Sequence, residues 1–505
     1  MAGWPILSLT TFLPLLGAAF IFLLRGDAET VARNSRNVAL WTSTITLVLS
    51  LFIWFSFDPT NPGFQLVEKH EWIPDYNINY YVGIDGISFW FVLLSTYLTV
   101  ICVIASWDGI KFRVRECMIA FLVLETAMIG TFCALDFFVF YMFFEGSLIP
   151  MFMIVGIWGG PRRIYATFKF FLYSLFGSVL TLVGILTMYF ITGTADIPTI
   201  MGFDFPREVE MWLWLSVAAA FAIKVPIWPF HTWLPDTHVE APTIGSVDLA
   251  GVLLKIGCYG LIRFILPIMP EATEFFAPLM FAFCLIGVVY CSLICLVQDD
   301  MKRMIAYSSI PHMAIAVIGI FCVTQESIQG AIMVMLSHGF VSGALFLCVG
   351  VVYERTHTRD MRYLGGVVHR MPVFAFVLMV LTLSALALPG TGGFVGEFMI
   401  LFGAFKVNTW VATIANLGTI LCAAYMLTLY RRVMYGELER DDIKSLVDLD
   451  ARELVMFVPM VLIVLWMGIY PSSFLDVTRA SSASLVKNYH AALDKAHGSK
   501  SAAVE

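Results

Sequence analysis

At 505 residues, 59% hydrophobic and only 13% charged, the chain is too apolar to hide its surface in one aqueous core; soluble domains carry about 25% charged residues. A formal charge of −7 leaves no basic footprint and argues against nucleic acid as a partner. Lipid is therefore its solvent, and the elements to find are apolar runs of about twenty residues.

Such runs recur along almost the whole chain, at 4–24, 38–56, 84–106, 117–134, 136–157, 167–192 and 211–229 in its first half. The second half continues with 243–267, 275–297, 302–322, 327–353, 371–403, 410–430 and 453–471. The first run has no basic segment before it and reads as an uncleaved helix, not a signal peptide. Two runs are irregular. Residues 211–240 contain Pro226, Pro229 and Pro235 with His231, Thr232, Asp236 and His238, and residues 384–398 read SALALPGTGGFVGEF. Unpaired backbone is not tolerated in lipid, so both segments predict broken helices buried in protein or lining a wet cavity. The polar tail from about 478 to 505 reads as a short surface helix or an irregular extension.

The expected fold is thus an all-α polytopic membrane protein of about fourteen transmembrane helices, with two inverted repeats that each contain a broken helix. Residues 1–116 form the N-terminal helices, 117–267 and 275–434 the two repeats, and 435–505 the last helix and tail. Interrupted helices in corresponding positions point to a transport site between repeats. Orientation follows from the loops. Basic residues gather in every second one: Arg25, Arg33 and Arg36; Lys111, Arg113 and Arg115; Arg162, Arg163 and Lys169; Lys302 and Arg303; Arg355, Arg359, Arg362 and Arg370; and Arg431 to Arg452. The alternate loops hold only Lys69, Arg207, Arg263 and Lys406. The positive-inside rule then puts both termini on the outer, periplasmic side.

Ten cysteines lie almost entirely in apolar runs, without C-x-x-C or C-x-x-C-H, so iron–sulfur and c-type haem ligands are missing from this pattern. His231 and His238 lack a third ligand at zinc spacing, and GTGGFVG is not a dinucleotide fingerprint.

What remains is ionisable groups at membrane depth, each costing about 2.5–3.5 kcal/mol on insertion scales unless it faces a protein interior. Glu145 sits within FVFYMFFEGSLIPMF, Lys224 and Lys255 in successive spans, and Glu397 in the second broken segment. His312, His338 and Asp248 are further candidates, with Glu125 and Asp136 lesser ones. Desolvation favours the neutral amine of a lysine and a neighbouring carboxylate favours the charged form, so moving either group makes the lysine release or take up a proton. Asp248 and Lys255, seven residues apart, are expected on one helix face.

Four segments carry a resemblance: FAIKVPIWPFHTWLPDTHVEAPTIGSVDLAGVLLKIGCYGLIRF at 221–264, DDMKRMIAYSSIPHM at 299–313, FYMFFEGSLIPMF at 140–152 and LPGTGGFVGEF at 388–398. Over essentially its whole length the chain resembles the proton-translocating membrane subunits shared by respiratory complex I, the NADH:quinone oxidoreductase, and Mrp-type Na⁺/H⁺ antiporters. Its length, the opening GIDGISFWFVLLSTYL at 83–98, and Glu397 where sister subunits more often carry lysine favour the complex I branch. The resemblance implies that Glu145 pairs with Lys224, that Lys255 is the central lysine, that His312 and His338 continue the wire, and that Glu397 ends it. Lys302 resembles a second-repeat counterpart near the inner surface. Asp248 departs from many family members, which are apolar there. No cofactor is expected on this chain; FMN, Fe–S clusters and quinone are implied on partner subunits, beside two sister antiporter-like subunits and lipid.

Overall fold

The computed structural model describes residues 4–438 and 440–502; the ends of the first and last expected blocks, 1–3 and 503–505, lie outside it, as does residue 439. The chain begins with α1 (Ile6–Leu23) and α2 (Ala28–Ser56), then a hairpin of β1 (Gln65–Ile73) and β2 (Ile78–Ile84). It continues through α3 (Phe89–Gly109), α4 (Val114–Cys133), α5 (Phe137–Gly146), α6 (Leu148–Trp158), α7 (Arg163–Thr192), α8 (Ile197–Met201), α9 (Arg207–Lys224) and α10 (Trp233–Glu240). Next comes one long helix made of α11 (Thr243–Asp248), α12 (Leu254–Gly260) and α13 (Leu266–Ile268), joined by π turns at Leu249–Leu253 and Leu261–Ile265. The rest is α14 (Pro270–Leu296), α15 (Met301–Cys322), α16 (Gln325–Thr356), α17 (Pro372–Ala385), α18 (Gly392–Val407), α19 (Thr409–Met434), α20 (Asp441–Lys444), α21 (Ala451–Ile469) and α22 (Ser472–Ala502).

Among the described residues, twelve helices are long and apolar enough to cross a membrane. The two other expected spans are interrupted. Pro226 and Pro229 lack the N–H that a helix needs, so α9 stops at Lys224 and α10 resumes at Trp233. In the second, Ala387 and Gly390 take left-handed backbone (φ 57° and 95°) around Pro389, separating α17 from α18. The apolar windows of α16 and of the 243–268 helix are completely buried, whereas those of α2 and α7 are about one-third buried and turn large side chains such as Phe176 and Phe190 outward. The core is therefore the pair of helices that carry His338 and Lys255.

A repeated device closes each half of the chain. Asp136 caps α5 through Phe138 N (2.9 Å), and Asp300 caps α15 through Arg303 N (3.0 Å). Each aspartate forms an isolated antiparallel bridge with a later one, Asp136 with Asp196 and Asp300 with Asp360. The later aspartates close the same sequence pattern, Thr192-Gly-Thr194-Ala-Asp196 and Thr356-His-Thr358-Arg-Asp360. In both, the first threonine hydroxyl donates to the carbonyl of the second (3.0 and 3.2 Å), and the second accepts the aspartate N–H (3.2 and 3.3 Å). Asp196 is salt-bridged to Lys69 of the hairpin, while Asp300 is paired with Arg359. The device thus occurs once among the hairpin elements and once among the basic loops.

Three sequence expectations need correction. The hairpin interrupts the all-helical reading between the second and third spans. The tail is neither short nor irregular: α22 runs as a 31-residue strap. Ser481 Oγ accepts from Gly86 N (3.0 Å), Gln325 Nε2 donates to Ser482 Oγ (2.9 Å), and His490 Nε2 meets the Val323 carbonyl (3.1 Å). Finally, Arg263 and Lys302 are not loop residues. Arg263 is buried in the second π turn and ion-paired with buried Asp85, and Lys302 is buried at the start of α15. Hydropathy counting places such residues in loops because it sees the charge and not its partner.

Candidate functional site

Four predicted residues form one series through the core. Lys255 Nζ lies 2.8 Å from His338 Nδ1 and also donates to the Ala250 carbonyl inside the first π turn. The rings of His338 and His312 have centroids 5.8 Å apart. His312 Nδ1 lies 3.2 Å from Glu397 Oε1, and Thr419 donates to the other carboxylate oxygen at 3.5 Å. These groups come from four elements, α12, α16, α15 and α18, and close helix approach brings them together. A Cβ on Gly330 of α16 would sit 2.8 Å from the Gly396 carbonyl oxygen of α18, so glycine permits the contact beside Glu397. A cavity of about 30 Å³ lies along the series, lined by Ser308, His312, Ser337, His338, Ser342 and Glu397 among others. Among the described residues the Ser342 and Ser384 hydroxyls facing it have no partner, and the space is large enough for water to bridge them.

Glu145 and Lys224 form a second, looser pair. Glu145 lies at the junction of α5 and α6, partly exposed, within electrostatic reach of Lys224 and of the Ser178 hydroxyl. Lys224 ends α9, where the C-terminal end of the helix dipole favours a cation. Its ammonium stands 5.3 and 5.8 Å from the ring centres of Phe144 and Phe170. The carbonyl of Ile223, freed by the break, accepts from the Trp233 indole at 2.9 Å. Among the described residues no carboxylate lies within 4 Å of Lys224, so this pair is not in contact.

Asp248 corrects the expectation of a shared face with Lys255. The π turn at Leu249–Leu253 takes more residues per turn than an α-helix, so the seven residues from Asp248 to Lys255 fall short of two full turns and the two side chains leave the shared face. Asp248 instead receives the Cys102 thiol at 3.5 Å and faces Glu125, which is likewise fully buried. Lys302 donates to the Ala241 carbonyl near the basic loops, apart from the series. One group escapes the sequence reading. His238, read there as a polar residue of the first broken segment and rejected as a zinc ligand, is fully buried against Phe346 (centroids 4.6 Å apart) and lies within electrostatic reach of both Lys255 and Lys302. Its place in the first broken segment is the available signal.

Comparison with known proteins gives the family of the chain. The family model for the NADH:quinone oxidoreductase/Mrp antiporter transmembrane region matches residues 134–422, and that for the amino terminus of NADH-ubiquinone oxidoreductase chain 4 matches residues 30–133. The chain belongs to the NADH:quinone oxidoreductase/Mrp antiporter family. Within this family it is 51% identical to NADH-quinone oxidoreductase subunit M of Rhodobacter capsulatus, covering 97% of this chain and 98% of that one. A chain of the respiratory complex I from Thermus thermophilus with bound NADH superposes with a TM-score of 0.87 at 28% identity, covering 96% and 99%. A chain of the Mrp complex from a Dietzia species has a TM-score of 0.83, but at 17% identity it shares the fold alone. The family's membrane-embedded, multi-subunit character therefore holds here, and the complex I branch is the better supported one.

Proposed function

We propose that this membrane subunit of NADH:quinone oxidoreductase moves protons along the buried series Glu145, Lys224, Lys255, His338, His312 and Glu397, driven by redox energy released on other subunits. The observation that carries the reading is the series from Lys255 to Glu397: Lys255 meets His338, His312 meets Glu397, and the two histidine rings stand 5.8 Å apart beside a small cavity. Buried charges of this kind are costly unless they serve a pathway. Glu145 and Lys224, facing each other without contact, act as a gate whose spacing sets whether the lysine holds its proton. His238 and Lys302 join the series from the side of the basic loops.

In the same reading the two interrupted segments count as one crossing each, giving fourteen. The basic loops face the cytoplasm, so both termini lie on the periplasmic side of a bacterial inner membrane. FMN, Fe–S clusters and quinone sit on partner subunits, and two sister antiporter-like subunits flank this one within lipid. The chain then acts as the translocating part of the enzyme.

The test is NADH-driven acidification of inverted membrane vesicles carrying Glu145→Gln, with NADH:ferricyanide reduction as the assembly control. Collapse of acidification and quinone reduction with ferricyanide reduction intact is the expected result. Unchanged acidification would remove Glu145 from the path. Sodium-sensitive growth on deletion, with intact NADH oxidation, would instead support an Mrp-type Na⁺/H⁺ antiporter.

A further inference from the structure

The second helix break does more than interrupt α17. In a continuous helix the Ala385 carbonyl would accept from the N–H of residue 389, but that residue is proline and has none. The orphaned carbonyl receives the Cys422 thiol of α19 instead, at 3.4 Å. With its proton committed there, the sulfur presents a lone pair to His312 Nε2, 3.6 Å away. His312 Nδ1 faces Glu397 Oε1 at 3.2 Å. Behind the thiol lies the fully buried phenol of Tyr425.

We propose that Cys422 is a positioning residue for proton transfer: held by the Ala385 carbonyl, it keeps the proton of neutral His312 on Nε2 and leaves Nδ1 bare toward Glu397. Which imidazole nitrogen carries the proton is set by what the other ring nitrogen meets, and here both are assigned. A proton arriving from Glu397 then lands on Nδ1, and the transfer balances as carboxylic acid plus neutral imidazole going to carboxylate plus imidazolium. Without the sulfur either tautomer forms, and the one protonated at Nδ1 cannot accept. The inference rests on the proposed path through His312.

The test measures NADH-driven acidification in inverted vesicles, normalised to ferricyanide reduction, for Cys422→Ala, Cys422→Ser, His312→Ala, the Cys422→Ala/His312→Ala double variant and Lys224→Ala. Cys422→Ala is expected to slow pumping about fivefold, equivalent to one neutral hydrogen bond of about 1 kcal/mol. Cys422→Ser, which can donate to Ala385 and accept from Nε2, restores it. The double variant is no worse than His312→Ala. Native pumping in Cys422→Ala, a serine variant as impaired as the alanine one, or an additive double variant would each overturn the assignment. Native pumping in Lys224→Ala would remove the path itself and the thiol's role with it; a dead Lys224→Ala beside a native Cys422→Ala removes only the thiol's role.

Discussion

In the first half of the chain the interrupted helix ends on Lys224, whose ammonium lies over the rings of Phe144 and Phe170 and whose acid, Glu145, stands off. In the second half, the helix after the break carries Glu397, in contact with His312 and flanked by Thr419. Yet both halves close through the same aspartate bridge and the same pair of threonine bonds. The backbone device is duplicated and the chemistry is not. Breaking a helix creates the opening; the charge placed there stands apart from its partner at Lys224 and in contact with it at His312 and Glu397.

The largest effect should come from breaking the separated pair. Lys224→Ala should lower NADH-driven acidification by at least about tenfold while leaving ferricyanide reduction intact, since a tenfold loss needs only about 1.4 kcal/mol on the limiting step. Native pumping in that variant would end the distinction between the two halves. Glu397→Gln keeps the shape and removes the carboxyl group that meets His312. Its loss should be severalfold, and His312→Ala should be milder, because neighbouring hydroxyls and water can take up part of the gap. Equal losses at Lys224 and Glu397 would mean that contact and separation are not different working modes. A fourth variant tests the helix packing beneath the second break. Gly330→Ala drives a methyl against the Gly396 carbonyl and should cost about 1–3 kcal/mol, read as earlier thermal unfolding in detergent together with slower pumping. Smallest of all, Thr194→Ala and Thr358→Ala each remove one matched hydroxyl. Both should cost about 1 kcal/mol by the same unfolding measurement, and a large inequality would show that the two bridges are not equivalent supports.

Much of this is legible in the residues. Hydropathy alone marks the apolar spans, proline and glycine mark both breaks, and the isolated charges Glu145, Lys224, Lys255 and Glu397 stand out because lipid penalises them. Histidines are harder: His312 and His338 are legible as candidates, but His238 is not, since a lone histidine in a turn-rich segment has no periodic partner to reveal it. The matched Thr-x-Thr-x-Asp bridges escape a linear reading for a related reason. They are five-residue patterns in loops, far apart in sequence, and only their identical bonding makes them a pair.

The sequence by itself determined that this is a multi-pass membrane protein of the antiporter-like family, because composition and long apolar runs leave the chain no other solvent, and its motifs are specific. Only the tertiary structure decided which charges meet. A π turn, invisible to any fixed helical period, swings Lys255 away from Asp248 and toward His338. Arg263 becomes a buried partner of Asp85, and the tail becomes a strap, because both depend on contacts between residues far apart along the chain. Spacing along one helix can place a side chain on a face, but which group lies opposite is set by how neighbouring helices pack.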